Sequence, residues 1–271
     1  ILSDDPEAPA KKFCDEFIIS DYNKIKNIEE FANKVDVVTF EFENIPFKIL
    51  EYIAKLKPVL PKPTVNQIIQ NRFTEKKFIS NTAGAINELE IKMTKYALIK
   101  EKSDIFKNEN LLPGILKTCT LGYDGKGQIV INNKDEISKL EIDFNKEYIL
   151  EKKINLKKEI SIIITRFLNN DCLIYEPFEN YHVDQMLNKS FIPADITKDN
   201  FDKAQQQARL IAENLDYIGT MCIEYFIDEN NNLLVNEIAP RVHNSGHLTI
   251  NAYNISQFEN HIRAVCNLEK I

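Results

Sequence analysis

The densest group of chemically active side chains in the sequence lies in residues 236–247, which read NEIAPRVHNSGH. This stretch holds a carboxylate (Glu237), a guanidinium (Arg241) and two imidazoles (His243 and His247). A folding core has no use for such a cluster, because each buried polar group costs free energy unless it is paired. A proline and a glycine would hold the stretch as a rigid loop after a strand, where binding residues tend to lie. An ion-paired turn without further function is the alternative that these residues leave open.

The glycines form a second pattern, in residues 118–128, which read TCTLGYDGKGQ. The chain has 7 glycines, whereas average usage predicts about 19 in a chain of this length. Gly122, Gly125 and Gly127 nevertheless lie close together here. Such spacing exposes backbone N–H groups that can surround a polyphosphate, and Lys126 adds a positive charge. We therefore predict a flexible phosphate-binding hairpin, with an ordinary glycine-rich turn as the alternative.

Two carboxylates on neighbouring strands predict a cation site. Residues 221–227 and 233–237 have the pattern of two strands in an antiparallel hairpin. A two-residue turn at 230–231 would place Glu224 directly opposite Glu237, with their Cβ atoms about 4.5–5.5 Å apart. Facing like charges are destabilising unless a cation lies between them, and oxygen-only ligands suit Mg²⁺. A register change of one residue would put Glu237 on the other face, so the prediction depends on the register.

Strand and helix patterns alternate in the first 60 residues and predict a parallel α/β unit. Glu43 follows a predicted buried strand, at the edge where open α/β sheets bind ligands, although it could equally interact with a helix N-terminus. The connector LPKP at 60–63 marks the expected domain boundary, and Thr64 is expected to cap the next helix. Strands are predicted here at 17–19 and 35–42, and helices at 25–33 and 45–56.

After the connector, short strands alternate with helices and turns. Residues 71–80, NRFTEKKFIS, are polar and basic and predict a surface helix. Lys117 ends a predicted strand just before the glycine cluster, where it could meet a phosphate. A turn is predicted at 156–158, bracketed by Glu151 and Glu159, whose carboxylates either bind a ligand or solvate a hairpin. Strands are predicted at 95–100, 114–117, 129–131, 148–154 and 159–166, and an amphipathic helix at 201–215.

Composition argues against several classes of protein. The 271-residue chain is 44% hydrophobic and 28% charged, as is usual in soluble globular proteins. Its net charge of −7 argues against a nucleic-acid partner, because such a partner needs a basic face. No apolar run approaches the ~18 residues of a membrane span, no signal peptide is visible, and the 5 cysteines show no CxxC spacing. We therefore expect a cytoplasmic protein without a membrane or nucleic-acid partner.

Three further motifs are EFENIP at 41–46, EKKI at 151–154 and SQFENHIRAV at 256–265. Together with the glycine cluster, the paired glutamates and the loop at 236–247, they resemble the 5-(carboxyamino)imidazole ribonucleotide synthase family of ATP-grasp enzymes, which acts in purine biosynthesis. The resemblance runs from near the first residue to about residue 268. RVHNSGH at 241–247 together with SQFE at 256–259 carries most of its specificity.

The resemblance implies a fold of the α/β and α+β class, in which an ATP-grasp fold is preceded by a truncated Rossmann-like (pre-ATP-grasp) α/β domain. Residues 1–62 would form the partial pre-ATP-grasp domain. Residues 63–271 would form the ATP-grasp domain, with 90–155 as its smaller lid subdomain. Relative to the family's pattern, the first βα unit ahead of Ile1 and the C-terminal subdomain after Ile271 are missing. The ATP and metal sites are therefore expected to be nearly complete, and the ribonucleotide site incomplete.

The resemblance also implies a reaction and its ligands. The family makes carboxyaminoimidazole ribonucleotide from 5-aminoimidazole ribonucleotide, bicarbonate and ATP, through carboxyphosphate and with Mg²⁺, and it suggests a homodimer. Mg²⁺ would bind to Glu224 and Glu237. ATP would contact Arg72, Lys117, Gly122, Gly125, Lys126, Gly127, Gln128, Glu151, Lys152, Lys153, Ile154, Glu159, His182, Asn236 and Glu237. The bicarbonate and ribonucleotide site would contain Glu43, Tyr123, Asp124, Arg241, His243, Asn244 and Ser245. The expected catalytic residues are Asp124, as the base that takes the proton of the amine, Tyr123, Arg241 and His243.

Two alternatives remain open from the sequence. One is another ATP-grasp enzyme that acts through an acyl phosphate, similar to biotin carboxylase or to a formate-dependent transformylase. The other is an inactive nucleotide-binding remnant. Formation of ADP that depends on both bicarbonate and 5-aminoimidazole ribonucleotide distinguishes all three.

Overall fold

The computed structural model describes residues 1–85, 90–122 and 127–271. Its strands, in chain order, are β1 (Leu2–Ser3), β2 (Ile18–Ile19), β3 (Lys92–Met93), β4 (Tyr96–Ile99), β5 (Gly114–Thr118), β6 (Gln128–Ile131), β7 (Tyr148–Lys152), β8 (Leu156–Arg166), β9 (Cys172–Ile174), β10 (Phe178–Val183), β11 (Met186–Phe191), β12 (Gly219–Asp228) and β13 (Leu233–Ala239). Its α-helices are α1 (Ile25–Asn33), α2 (Phe47–Ala54), α3 (Pro63–Ile69), α4 (Arg72–Ala85), α5 (Lys102–Lys107), α6 (Lys134–Ile137), α7 (Lys198–Asn214), α8 (Thr249–Ala252) and α9 (Gln257–Val265). Short 3-10 helices lie at Pro9–Phe13, Glu109–Leu111 and Asn244–Leu248.

The N-terminal segment is a small α/β layer, as its alternating pattern predicts. β1 and β2 pair in parallel, and α1 has the bounds expected from its apolar spacing. The strand predicted at 35–42 is wrong in extent, because the structure has only an isolated bridge there, between Val38 and Val59. The partner segment carries Pro58 and Pro61, which have no N–H with which to extend a ladder.

The connector leads directly into helix α3. This helix begins at Pro63, with Lys62 in the N-cap position and no side-chain cap, so the cap predicted at Thr64 is wrong. Proline suits the first helical position because it has no N–H to leave unbonded. Lys62 forms an ion pair with Asp216, which joins the connector to the turn after α7.

The rest of the described chain contains two larger sheets, together with the helices that pack beside them. The larger has seven strands in the order β11-β10-β8-β12-β13-β3, with β9 paired to β8. The smaller has four strands in the order β4-β7-β5-β6. The turn predicted at 156–158 is wrong, because β8 already pairs with β12 at Leu156, opposite Asp228. β7 and β8 therefore lie in different sheets, and Glu151 and Glu159 do not share a hairpin.

The two sheets have separate apolar cores. α7 packs on the larger sheet through the fully buried Ala204, Ala208 and Ile211, which confirms the amphipathic helix predicted there. The smaller sheet has its own core, which includes Leu116 and Leu150. In the described part of the chain, no helix is long and apolar enough to cross a membrane.

A buried histidine joins the N-terminal layer to the larger sheet. His261, on α9, is 7% exposed, and its Nδ1 accepts a hydrogen bond of 3.0 Å from the backbone N–H of Thr220. Its Nε2 lies 2.7 Å from the Thr39 hydroxyl. Because Nδ1 accepts, the ring proton resides on Nε2, and a second ring proton would oppose the Thr220 N–H. Burial lowers the pKa of His261 to about 4.

This pKa predicts acid sensitivity. The folded pKa lies below the value of about 6.5 expected in the unfolded chain, so the stabilisation is fully present above pH 6.5 and is lost as the pH falls toward 4. Because the unfolded chain binds the His261 proton more tightly, the free energy of unfolding should fall by about 2 kcal/mol between pH 7 and pH 4.5. Urea unfolding at both pH values should show this loss in the wild type and not in His261→Gln. His247→Gln is the matched control, because His247 is exposed and its replacement should leave the pH dependence unchanged. An equal pH dependence in His261→Gln contradicts this account.

Candidate active site

The β12–β13 hairpin brings two carboxylates face to face. Glu224 pairs with Glu237, as predicted, but the turn differs from the predicted one. The Asp228 N–H donates to Asn232 O at 3.1 Å, so the connection is three residues long rather than two. A bulge at Asn236, between the pairs Tyr225–Val235 and Glu224–Glu237, shifts the register by one residue. The extra residue in the turn and the extra residue in the bulge shift the register in opposite directions. Glu224 and Glu237 are therefore still paired.

The bulge also sets the direction of two site side chains. Val235 and Ile238 both lie in the apolar core, which a regular strand could not achieve because alternate side chains point to opposite faces. Asn236 and Glu237 therefore share the face of Glu224, as expected where a bulge re-aims side chains. The Asn236 amide lies 3.4 Å from Glu224 Oε2.

Each carboxylate of the pair has its own positive partner. Arg72 Nη1 lies 2.7 Å from Glu237 Oε2, and His243 Nε2 lies 2.9 Å from Glu224 Oε1. Burial acts to raise the pKa of Glu237, but Arg72, together with Lys117 and His243, outweighs burial and lowers that pKa. Burial acts to lower the pKa of His243, but Cys222 and Glu224 outweigh it and hold that pKa well above its usual range. Like charges that face each other are thus neutralised one by one.

A second charge cluster lies where the smaller sheet meets helix α4. Glu151 is 4% exposed; its Oε2 lies 2.8 Å from Lys117 Nζ and its Oε1 lies 3.3 Å from Lys76 Nζ. Burial alone would raise the pKa of Glu151, but the two lysines outweigh burial and lower it to about 2. The carboxylate predicted to contact the nucleotide therefore also holds two ammonium groups in place.

Apart from Arg72, which was predicted to contact ATP, helix α4 contributes residues to the site that the sequence interpretation missed. It was predicted as a surface helix, yet Glu75 and Lys76 are only 3% and 2% exposed. Arg72, Glu75, Lys76 and the fully buried Ile79 have the i, i+3, i+4, i+7 spacing of one helix face. That spacing could have indicated a buried helix face, but three of the four side chains are charged and therefore suggested exposure. Burial and the nearby Glu237 raise the pKa of Glu75 to about 8.

The second half of the 236–247 loop meets the N-terminal layer. Arg241 Nε lies 2.7 Å from Glu43 Oε1, so the two residues predicted to share a substrate site are in contact. The Gln70 side-chain amide donates to the backbone oxygens of Glu43 and Ile45, both at 2.7 Å. Burial raises the pKa of Glu43, and Arg241 opposes that rise.

Ser245 is placed differently from the prediction. Its side chain is fully buried and does not reach the cavity, because the 3-10 helix at Asn244–Leu248 turns it inward. Ser161 donates a hydrogen bond of 2.7 Å to the Ser245 hydroxyl, which in turn lies 2.8 Å from Nδ1 of His243. Ser245 thus orients His243 rather than lining the substrate site.

One cavity of about 680 Å³ lies between the two sheets and collects most of the predicted residues. At its outer end His182 Nδ1 lies 2.6 Å from Glu159 Oε2, and this bond raises the pKa of His182. Gly127, in the predicted phosphate-binding hairpin at 118–128 (here called the flap), has φ +73°. Tyr123, Asp124, Gly125 and Lys126 lie outside the described residues. The predicted residues that line the cavity are Glu43, Arg72, Lys117, Gly122, Gln128, Glu151, Lys152, Lys153, Ile154, Glu159, His182, Glu224, Asn236, Glu237, Arg241, His243 and Asn244.

The donor set at the carboxylate pair fits a hard divalent cation. Glu224 and Glu237 supply oxygen ligands on facing strands. Among the described residues, no group of three His, Cys, Asp or Glu side chains forms a metal site. Mg²⁺ does not need such a group, because one or two carboxylates and the phosphates of a substrate usually hold it.

Two family models match the chain: a ribonucleotide synthetase preATP-grasp domain over residues 1–70 and an ATP-grasp domain over residues 84–258. The N5-carboxyaminoimidazole ribonucleotide synthase of Staphylococcus aureus strain COL is 38% identical over 268 residues, which are 98% of this chain and 69% of that protein. The chain belongs to the N5-carboxyaminoimidazole ribonucleotide synthase family. The synthase of Bacillus subtilis strain 168 is 37% identical over 266 residues, which are 97% of this chain and 68% of that protein.

Solved structures of synthases in this family have the same fold. The Staphylococcus aureus enzyme complexed with ADP has a TM-score of 0.91 and 36% identity, covering 100% of this chain and 71% of that one. The Aspergillus clavatus enzyme in complex with ADP and 5-aminoimidazole ribonucleotide has a TM-score of 0.86 and 26% identity, covering 98% of this chain and 69% of that one. The predicted fold class, an ATP-grasp fold preceded by a pre-ATP-grasp domain, is confirmed. The finer boundaries at residues 62, 90 and 155 stay predictions.

Gly246 gives a test of how the site loop is held. A Cβ there would come within 2.3 Å of Gln257 Oε1, and Gln257 makes two hydrogen bonds of 2.9 and 2.7 Å to the His243 backbone. We expect Gly246→Ala to lower the unfolding free energy by about 2 kcal/mol, because the overlap displaces Gln257 and breaks these bonds. Urea unfolding measures the change, with His247→Ala, at the exposed neighbouring position, as the control. A Gly246→Ala protein as stable as the control contradicts the expectation.

Proposed function

We propose that this chain catalyses the ATP-dependent carboxylation of 5-aminoimidazole ribonucleotide with bicarbonate, through carboxyphosphate, in de novo purine biosynthesis. The observation that carries the proposal is that a single cavity contains both sets of groups that this reaction needs. One set, Arg72 with Glu224 and Glu237, suits a metal-bound polyphosphate. The other set, Glu43, Arg241 and His243, suits a small anion and a second substrate.

The nucleotide would lie between the two sheets. Apolar side chains that the sequence interpretation did not assign, Ile115, Val130, Leu187 and Phe226, line the cavity and provide a surface for the adenine base. Glu159 and residues 151–154, where the chain passes from the smaller sheet toward the larger one, would contact the base and ribose. Related synthases have been solved in complex with ADP, which supports a nucleotide ligand for this chain.

Transfer of the γ-phosphoryl group is the first step. An oxygen of bicarbonate attacks the γ-phosphorus, the bond to the β,γ-bridging oxygen breaks, and ADP leaves. Lys117 and Arg72 offset the negative charge that develops on the transferring group. Glu224 and Glu237 would hold Mg²⁺, which would offset negative charge on the phosphate oxygens. With that charge beside Glu237, Arg72 would be free to reach a phosphate.

Carboxylation is the second step. The exocyclic amine attacks the carbon of carboxyphosphate, or of the CO₂ released from it, phosphate leaves, and the amine gives up a proton. Asp124, next to Tyr123 in the flap, is the proposed base. Arg241 would hold the carboxylate oxygens, and Asn244 and His243 would line the ribonucleotide site. Carboxyphosphate is labile in water, so the flap that carries Asp124 would also shield it.

The proposal extends to a cytoplasmic homodimer. The five cysteines of the chain are free thiols, which fits a reducing compartment. The homodimer rests on the family resemblance.

The direct test is an ADP-release assay with the purified chain. We expect ADP formation that requires ATP, bicarbonate and 5-aminoimidazole ribonucleotide together and yields the carboxyamino product by mass spectrometry. Glu224→Gln should lower the rate by at least about 100-fold, because it removes one of the two carboxylates of the metal site. Glu229→Gln, in the exposed turn of the same hairpin, is the matched control and should retain the wild-type rate.

Two results would contradict the proposal. ADP formation at an unchanged rate without the ribonucleotide or without bicarbonate excludes this reaction and favours another ATP-grasp activity. Binding of Mg-ATP without any turnover identifies a nucleotide-binding remnant.

A further inference from the structure

Among the residues that the structure describes, the strand that presents Glu237 is only partly paired on one side. β3 pairs with β13 only at Leu234 and Val235. Beyond Val235, the backbone on that side would be unpaired just where the bulge interrupts the ladder with β12. Unpaired backbone groups in a buried place cost free energy and leave the local conformation free to change.

Two side chains of α4 bond to this backbone instead. Glu75 Oε1 accepts a hydrogen bond of 2.5 Å from the backbone N–H of Ile238. Lys76 Nζ donates a bond of 3.3 Å to the backbone oxygen of Asn236. These two groups belong to the residues on either side of Glu237, and both side chains are buried. The contacts therefore fix the peptide before Glu237 and the peptide after it.

Lys76 also reaches the other sheet. Its ammonium lies 3.3 Å from Glu151 Oε1 on β7, in the smaller sheet, while its bond to Asn236 O is to β13, in the larger one. A single buried charge thus touches both walls of the cavity. It contributes to setting the separation of the walls between which the nucleotide is proposed to bind.

We propose that Glu75 and Lys76 are positioning residues that replace a missing strand beside β13 and hold the bulge, so that Asn236 and Glu237 face Glu224. The inference rests on the proposed function only in that Mg-ATP is the ligand of the carboxylate pair. Side chains in a strand alternate with a period of two, so relaxation of the bulge by one residue would turn Glu237 away from Glu224. Neither side chain needs to touch the substrate for this role.

The test compares two substitutions at one position. Glu75→Met removes the acceptor for the Ile238 N–H and keeps a side chain of similar size. Glu75→Gln replaces the ionisable carboxyl with an amide and keeps a carbonyl acceptor in the same place. In the ligand-free protein we expect the Ile238 amide to exchange with deuterium at least about tenfold faster in Glu75→Met, and near the wild-type rate in Glu75→Gln. The dissociation constant of Mg-ATP, measured by calorimetry, should rise about tenfold in Glu75→Met and less than about threefold in Glu75→Gln.

Each outcome decides the inference. Wild-type exchange and affinity in Glu75→Met overturn it. An equal defect in Glu75→Gln also overturns it, since the ionisable carboxyl rather than the backbone bond would then matter. If Glu75→Met fails to fold, Lys76→Met takes its place. An unchanged Mg-ATP affinity in Lys76→Met overturns the inference, and a rise of about tenfold supports it.

Failure of the proposed function would look different. A wild-type chain that does not bind Mg-ATP contradicts the proposed function before any variant is compared. The exchange rate of the Ile238 amide needs no ligand, so it tests the positioning role in that case as well.

Discussion

The site depends on a repulsion that has to be compensated. Glu224 and Glu237 face each other across an antiparallel pair, where like charges are destabilising. Arg72 and His243 neutralise them one at a time, which requires a helix on one side of the hairpin and a loop on the other. The position of α4 and the path of the 236–247 loop both follow from this requirement. A divalent cation between the carboxylates would neutralise both of them together.

The remaining charges of the cavity follow the same logic. Lys117, Lys76 and Glu151 form a buried group in which each charge has an opposite partner. Buried ion pairs add little net stability, because the loss of hydration offsets the attraction. Their value here is that the positive groups are already fixed in place before a polyphosphate arrives, so little reorganisation accompanies binding. The His243–Ser245–Ser161 hydrogen bonds fix the imidazole in the same way.

Much of the site could be predicted from the sequence because its residues fall in short, dense motifs. The facing glutamates were predicted correctly, although through a turn one residue too short, and the bulge at Asn236 corrected the register. A bulge cannot be read from alternating polarity, since it depends on which backbone groups find partners. The error at 156–158 arose in the same way, because only the pairing with β12 shows that those residues continue a strand.

The parts that escaped prediction are charged residues in buried positions. Glu75 and Lys76 look like solvent-exposed helix residues until the partners Ile238, Asn236 and Glu151 are placed beside them. Ser245 looks like a loop hydroxyl until the chain turns it inward behind His243. In each case the deciding contact comes from a residue distant in sequence. The local pattern can at most show that Glu75 and Lys76 share a helix face with Ile79, and it does not identify their partners.

Under the proposed function, the glutamate pair would exchange its separate partners, Arg72 and His243, for a shared cation when nucleotide binds. A crystal structure of this chain with Mg²⁺ and a non-hydrolysable ATP analogue measures this directly. We predict a metal ion between the carboxylates of Glu224 and Glu237, with the Arg72 guanidinium moved from Glu237 to a phosphate oxygen. A nucleotide bound with Arg72 still paired to Glu237, and with the metal held elsewhere, would contradict the account.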